Sequence, residues 1–200
     1  DKILKDLEEM ISFIQRTIRS KELDGSETNS LLSVIHDYAN SWKFLKEYDE
    51  GELKLRKGTD SEKRRFDYEF IRGSIDVLKE VLIDKKEATD MFGSERDGSF
   101  QGILKTIYQT FDSKELYSSL NEKAAHLIYF IIKDHPFSDG NKRIGSFVFI
   151  FFLRLNQIDY RANGEKKIND NTLVALALLT TESDPRDKEL VVALVSNLLI

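Results

Sequence analysis

The nine residues His135-Pro136-Phe137-Ser138-Asp139-Gly140-Asn141-Lys142-Arg143 form a polar turn between two runs that are almost wholly apolar. Before the turn, Ala124, Ala125, Leu127, Ile128, Phe130 and Ile131 leave almost no polar face, the pattern of a central buried helix ending near Asp134. Ser119 and Glu122 have capping-box spacing and predict where that helix opens. After the turn, Ile144 to Leu155 supplies core and no catalytic group. Two core helices joined by a turn this rich in chemistry decide the class as helical, with function expected in the turn.

Working outward, Asn163-Gly164 marks a loop, Asn169 or Asp170 can cap a helix over Leu173 to Leu179, and Asp184-Pro185 can start a last one. Upstream, Phe66, Tyr68, Phe70, Ile71, Ile75, Val77, Leu78, Val81 and Leu82 are core candidates of a helix over about 62–83. Between Asp84 and Ser118 the period weakens around Gly93, Gly98 and Gly102, and part of Gly98 to Phe111 reads as a small β-hairpin or an ordered loop. Residues 2–21 and about 31–46 carry apolar residues at helical spacing around Asp24-Gly25, predicting an N-terminal helical hairpin. The charged stretch Asp49 to Arg65 is expected to connect it to the rest, giving residues 1–50 as the hairpin and 51–200 as the main domain.

The composition bounds what such a chain does. Only two prolines and ten glycines among 200 residues, with abundant Leu, Ile, Lys and Glu, favour an all-α protein. A net charge of −5 argues against general nucleic-acid binding, which needs an excess of cations. With no cysteine there is no disulfide, thiolate metal site or thiol nucleophile, which fits a reducing compartment such as a bacterial cytoplasm. The longest apolar run, Phe147 to Leu153, is too short to span a bilayer, so no membrane partner is expected. The chain begins at Asp1 rather than methionine, as expected of a fragment of a longer parent.

Within the turn, His135 has the imidazole for proton abstraction from a hydroxyl. Gly140 and Asn141 at a helix start let backbone amides converge, where the helix dipole favours phosphate. Asp139 can give Mg²⁺ one oxygen, since magnesium completes its shell with water and phosphate. Lys142 and Arg143 can neutralise a phosphoryl group. Each group also has a plainer role: Asp139 as an N-cap, Phe137 as a core anchor, Gly140 as a tight turn, the two cations as solvated charge. His36 and His126 have no metal-ligand spacing, and Lys63-Arg64-Arg65 and Lys166-Lys167 read as solvated surface.

The run His135 to Arg143 resembles the signature of the Fic/Doc (Fido) family, histidine-x-phenylalanine-x-acidic-glycine-asparagine-x-arginine between two core helices. The segment from Gly98 through Ile150 looks closest to the C-terminal Fic-like region of RhuM-type virulence proteins. The resemblance implies a helical Fido fold and a transferase that moves a phosphate-containing group from a Mg²⁺-nucleotide, ATP or another, to a protein Ser, Thr or Tyr hydroxyl. On it, His135 is the base, Phe137 the anchor, Asp139 the metal ligand, and Gly140, Asn141, Lys142 and Arg143 the phosphate site. A hairpin flap that aligns the target chain is expected within Gly98 to Phe111, with Gly98, Ser99, Phe100, Gly102, Ile103 and Tyr108 its candidate residues.

Lys142 stands where AMP-transferring members usually have glycine, and Ser146 where they have a second arginine. Lysine resembles the phosphorylating Doc branch, whereas Gly140 resembles the Fic branch, so phosphorylation and adenylylation (AMPylation) both stay open with a lean to the former. No clean copy of the family's inhibitory helix occurs: Ser20 to Gly25 has a shorter acid, and Glu122 is accounted for by its cap. An inhibitory partner protein or a missing N-terminal region is expected instead. The alternative is a non-catalytic helical module that binds nucleotide or protein. A toxin-like protein of this kind acts in the bacterial cytoplasm or, as an effector, in another cell.

Overall fold

The structure is a computed structural model that describes residues 65–200; the expected N-terminal hairpin, most of its charged connection, His36 and Lys63-Arg64 lie outside the described residues. The chain order is α1 (Tyr68–Asp84), α2 (Ser99–Ile107), a two-stranded hairpin of β1 (Thr110–Phe111) and β2 (Lys114–Glu115), then α3 (Leu120–Lys133) and α4 (Asn141–Leu155). It ends with α5 (Asp170–Glu182), a 3₁₀ turn over Pro185–Asp187 and α6 (Lys188–Leu198). The described residues are thus helical with one small hairpin, as the composition and the resemblance imply.

α3 is the axis of the fold. It packs against α4, α6, α2 and α5, and only Glu122, Phe130 and Lys133 along it escape full burial. The predicted cap forms: Glu122 N–H donates to Ser119 Oγ at 3.1 Å, while the Glu122 carboxylate reaches back to Ser118 N–H at 3.0 Å. Two buried polar residues on this helix are satisfied locally. Lys123 Nζ meets Glu115 Oε2 at 2.8 Å, pinning β2 to the helix, and His126 stacks on Tyr117 with ring centroids 3.9 Å apart. His126 is therefore structural, as expected.

α4 lies close against α3 because Gly145 has no side chain: a Cβ there would meet Ile132 Cγ1 at 2.9 Å. Ile144, Val148, Phe149, Phe152 and Leu153 fill the space between α4 and its neighbours. α5 starts on an Asn169 cap, and Asp184 caps the 3₁₀ turn as the Asp-Pro pair predicts. Lys133 Nζ donates to the Thr181 and Ser183 carbonyls, closing the C-terminal end of α5 with a cation. Lys167, expected in solvent, is half-buried instead and donates to the Leu199 carbonyl at 2.7 Å, closing the end of α6.

Two expectations need correction. The hairpin within Gly98 to Phe111 is a helix for most of that length: Ser99, Phe100, Gly102 and Ile103 lie in α2, Gly98 is its N-cap and Tyr108 its C-cap. Phe100, Ile103, Leu104 and Ile107 follow the spacing of one helical face and are all buried, and this overrides the loosening effect of Gly102 on the outer side. The strands come later, around Asp112 and Ser113, whose φ values of 48° and 61° make the tight reversal a two-residue hairpin needs. The helix expected over 62–83 opens only at Tyr68, on an Asp67 cap, and Phe70, Val77 and Val81 are exposed rather than core. Among the described residues, no helix is long and apolar enough to cross a membrane.

Candidate active site

The turn begins where α3 stops. His135 has φ +48°, the left-handed conformation that ends a helix, and Pro136 then forbids its continuation. His135 is exposed while Pro136 and Phe137 are buried, so the backbone is gripped and the imidazole is left accessible. Phe137 is 0% exposed, packed on Phe100 at 5.2 Å between centroids with the Arg72 guanidinium 5.8 Å above its ring.

A strand-like rail, Phe92 to Arg96, holds the turn along its length. Gly93 N–H donates to the Asp139 carbonyl at 3.2 Å, Ser138 N–H to the Ser94 carbonyl at 2.8 Å, and Arg96 N–H to the Pro136 carbonyl at 2.8 Å. The rail is fixed in turn by Glu95, which the sequence reading passed over. Its Oε1 accepts from Phe100 N–H and Gln101 N–H, capping α2, and its Oε2 accepts from the Tyr68 hydroxyl at 2.6 Å. Donation to that carboxylate, and then burial, push the Tyr68 hydroxyl up to about 12. Arg72 adds a bond to the Gly93 carbonyl at 2.9 Å. The signal that was present is an acid a few residues ahead of an apolar helical face; what it caps becomes visible only once α2 is known to be a helix.

At the other end of the turn Asn141 faces backwards. Its Nδ2 donates to the Phe137 carbonyl at 2.8 Å and its Oδ1 accepts from Phe137 N–H at 2.9 Å. Its side chain therefore braces the turn, which leaves only its backbone for an anion. Gly140 has φ +85°, and a Cβ there would fall 2.3 Å from the Phe92 ring. No side chain caps α4, so the first-turn amides of this 15-residue helix open outward beside Asp139. α1, α3 and α5 by contrast each carry a side-chain cap, and Glu95 fills the start of α2.

The cations differ in their freedom. Lys142 is exposed. Arg143 donates to the Glu87 carbonyl at 2.8 Å, lies 4.7 Å above the Phe92 ring and approaches Asp139 only to 3.9 Å. Asp139 is half-exposed with no closer ionic partner. Among the described residues no group of three or more His, Asp or Glu side chains gathers for a metal. One carboxylate beside an uncapped helix start still fits Mg²⁺ held jointly by phosphate and water. Every residue of the expected set thus lies in one turn and the first turn of α4; the six expected flap residues lie in α2 and its caps.

A model of the Fic/DOC family matches residues 74–153, a span from the middle of α1 to near the end of α4 that includes the rail and the whole turn. That model describes the family at large and separates no RhuM-type branch within it. No curated protein and no solved structure matches the chain. Over residues 74–153, therefore, this chain is similar to the Fic/DOC family.

Proposed function

We propose that the protein is a Fic-type transferase that moves a phosphate-containing group from a Mg²⁺-nucleotide to a Ser, Thr or Tyr hydroxyl of another protein. The observation that carries this is the uncapped start of α4, its amides open beside Asp139 and Lys142, six residues along from the exposed His135. His135 takes the proton of the target hydroxyl, and the oxygen so freed bonds to phosphorus in line with the departing group. If the α phosphorus is attacked, pyrophosphate leaves and AMP is transferred; if the γ, ADP leaves and a phosphoryl group is transferred. Asp139 would hold Mg²⁺, which when bound neutralises charge on the phosphates. The α4 amides and Lys142 orient the phosphate chain, and Arg143 has donors left over from its Glu87 contact for the same task.

Lys142 favours phosphoryl transfer, because its charge and bulk occupy the helix start where AMP-transferring relatives keep a glycine. Ser146, half-buried a turn further along α4, offers no guanidinium to an inhibitory glutamate. Control by a separate protein or by residues preceding this chain is therefore part of the proposal. The test is incubation of the protein and its His135→Ala variant with lysate and ATP labelled separately at the α and γ phosphates. Label from γ alone supports phosphorylation, and label from α supports adenylylation. Equal labelling by protein and variant in both samples rejects the enzyme and leaves a binding module.

A further inference from the structure

Next to the start of the turn, a groove of about 290 Å³ runs between α2 and the C-terminal end of α3. Its α2 wall is Ser99, Gly102, Ile103 and Thr106; its α3 wall is Phe130 and Asp134, the residue before His135. Ile103 is buried and makes the floor. Gly102 keeps the groove open, since a Cβ there would have nothing within 4 Å.

The polar atoms of the groove accept rather than donate. Ser99 Oγ gives its proton to the Arg96 carbonyl and Thr106 Oγ1 gives its own to the Gly102 carbonyl at 3.0 Å. Their oxygens are left with lone pairs only. Asp134 adds a carboxylate that has no hydrogen-bond or ion-pair partner among the described residues. Burial raises that carboxyl above its usual range, and the nearby Lys188 and His135 charges oppose the rise. Lys188 nevertheless makes no ion pair with it, because its ammonium lies 4.8 Å above the Phe130 ring. Next to this, burial and then the charges of Asp134, Asp187, Glu189 and Asp184 hold the Tyr129 hydroxyl above its ordinary value.

We propose that this groove receives a segment of the target chain and selects targets with an arginine or lysine beside the accepting hydroxyl, the cation meeting Asp134 and the Ser99 and Thr106 oxygens. An arginine fits best, because its planar fork of donors matches a carboxylate. The step from Asp134 to His135 is one residue, so a cation seated on the first brings a neighbouring hydroxyl to the second. This rests on the transferase reading but is measured separately from it.

The probe is a fluorescein-labelled, glycine-rich heptapeptide with one serine and one arginine two positions apart, read by anisotropy against the same peptide with glutamine for arginine. The arginine peptide is expected to bind about fivefold more tightly, the scale of one partly desolvated charge pair. Asp134→Asn and Gly102→Leu, on opposite walls, are each expected to erase that difference. Melting temperatures within about 3 °C of the unmodified protein show that neither variant acts by unfolding. Equal binding of the two peptides, no binding of either, or a preference that survives both variants overturns the proposal. Labelling of lysate proteins from ATP that is indifferent to Gly102→Leu also rejects the groove while leaving the transferase. Arginine-dependent binding lost in both variants, with no transfer from ATP, keeps the groove and rejects the transferase.

Discussion

Asn141 shows how much the direction of a side chain adds to its place in the sequence. Its place in a dense polar turn was legible, because nine residues with a histidine, an acid, a glycine and two cations are rare by chance. Its direction was not, because that depends on Phe137 folding back beneath it to offer both backbone groups. The physical consequence is a brace between the buried anchor and the start of α4. Asn141→Ala removes both bonds and leaves Phe137 N–H and C=O short of partners in a half-buried place, a cost of about 1–3 kcal/mol. Asn141→Asp keeps the acceptor and places a negative charge at a helix start, but sets it against the Phe137 carbonyl, so it recovers only part of the loss. Chemical denaturation of the three proteins measures this, and an Asn141→Ala variant as stable as its parent would show that the brace contributes nothing. Glu95 is the opposite case: only its place ahead of Phe100 marks it locally, and its partners Tyr68 and Phe137 come from distant segments.

Elements were legible where the apolar period was strong and uninterrupted. α3 came through with its cap, and both α3 and α4 with their boundaries, because burial on nearly all sides leaves a continuous apolar signature. α2 did not, because Gly98 stands just before it and Gly102 interrupts its short stripe, and in a nine-residue helix one interior glycine is enough to dilute the pattern. α3 also carries a titratable test of its packing. Burial above all lowers the His126 pKa, with the Lys188 charge acting the same way, and the Glu122 carbonyl, 3.0 Å from Nδ1, and the Glu189 charge oppose it. The unfolded chain takes up a proton near pH 6.5, while the buried ring resists until lower pH. Below about pH 6.5 the unfolded state therefore binds more protons, and stability falls as pH drops towards the folded value. Melting temperature should decline more steeply between pH 7 and pH 5 in the natural protein than in His126→Gln. Parallel curves would mean that the ring gains its proton without cost and that the α3 packing around it is loose.

Across the whole molecule, the family match and the folding unit have different extents. The match stops at residue 153, yet α3 is covered on a second side by α6, whose Val191, Val192, Leu194, Val195 and Leu198 are buried. α5 is tied to the end of α3 by Lys133, two residues before His135. The residues after the match thus close the core that holds His135 and Asp139 in place. Burying side chains of this kind stabilises by roughly 1.5–3 kcal/mol each. Losing those of α6 together removes as much as the typical net stability of a domain, about 5–15 kcal/mol. A chain ending after Leu155 should therefore show no cooperative thermal transition, while residues 1–200 melt in one. Circular dichroism and calorimetry on the two lengths distinguish the cases. A shortened chain that melts cooperatively within a few degrees of the full one would place the stabilising core in α1 to α4 alone and make α5 and α6 an appendage to the site.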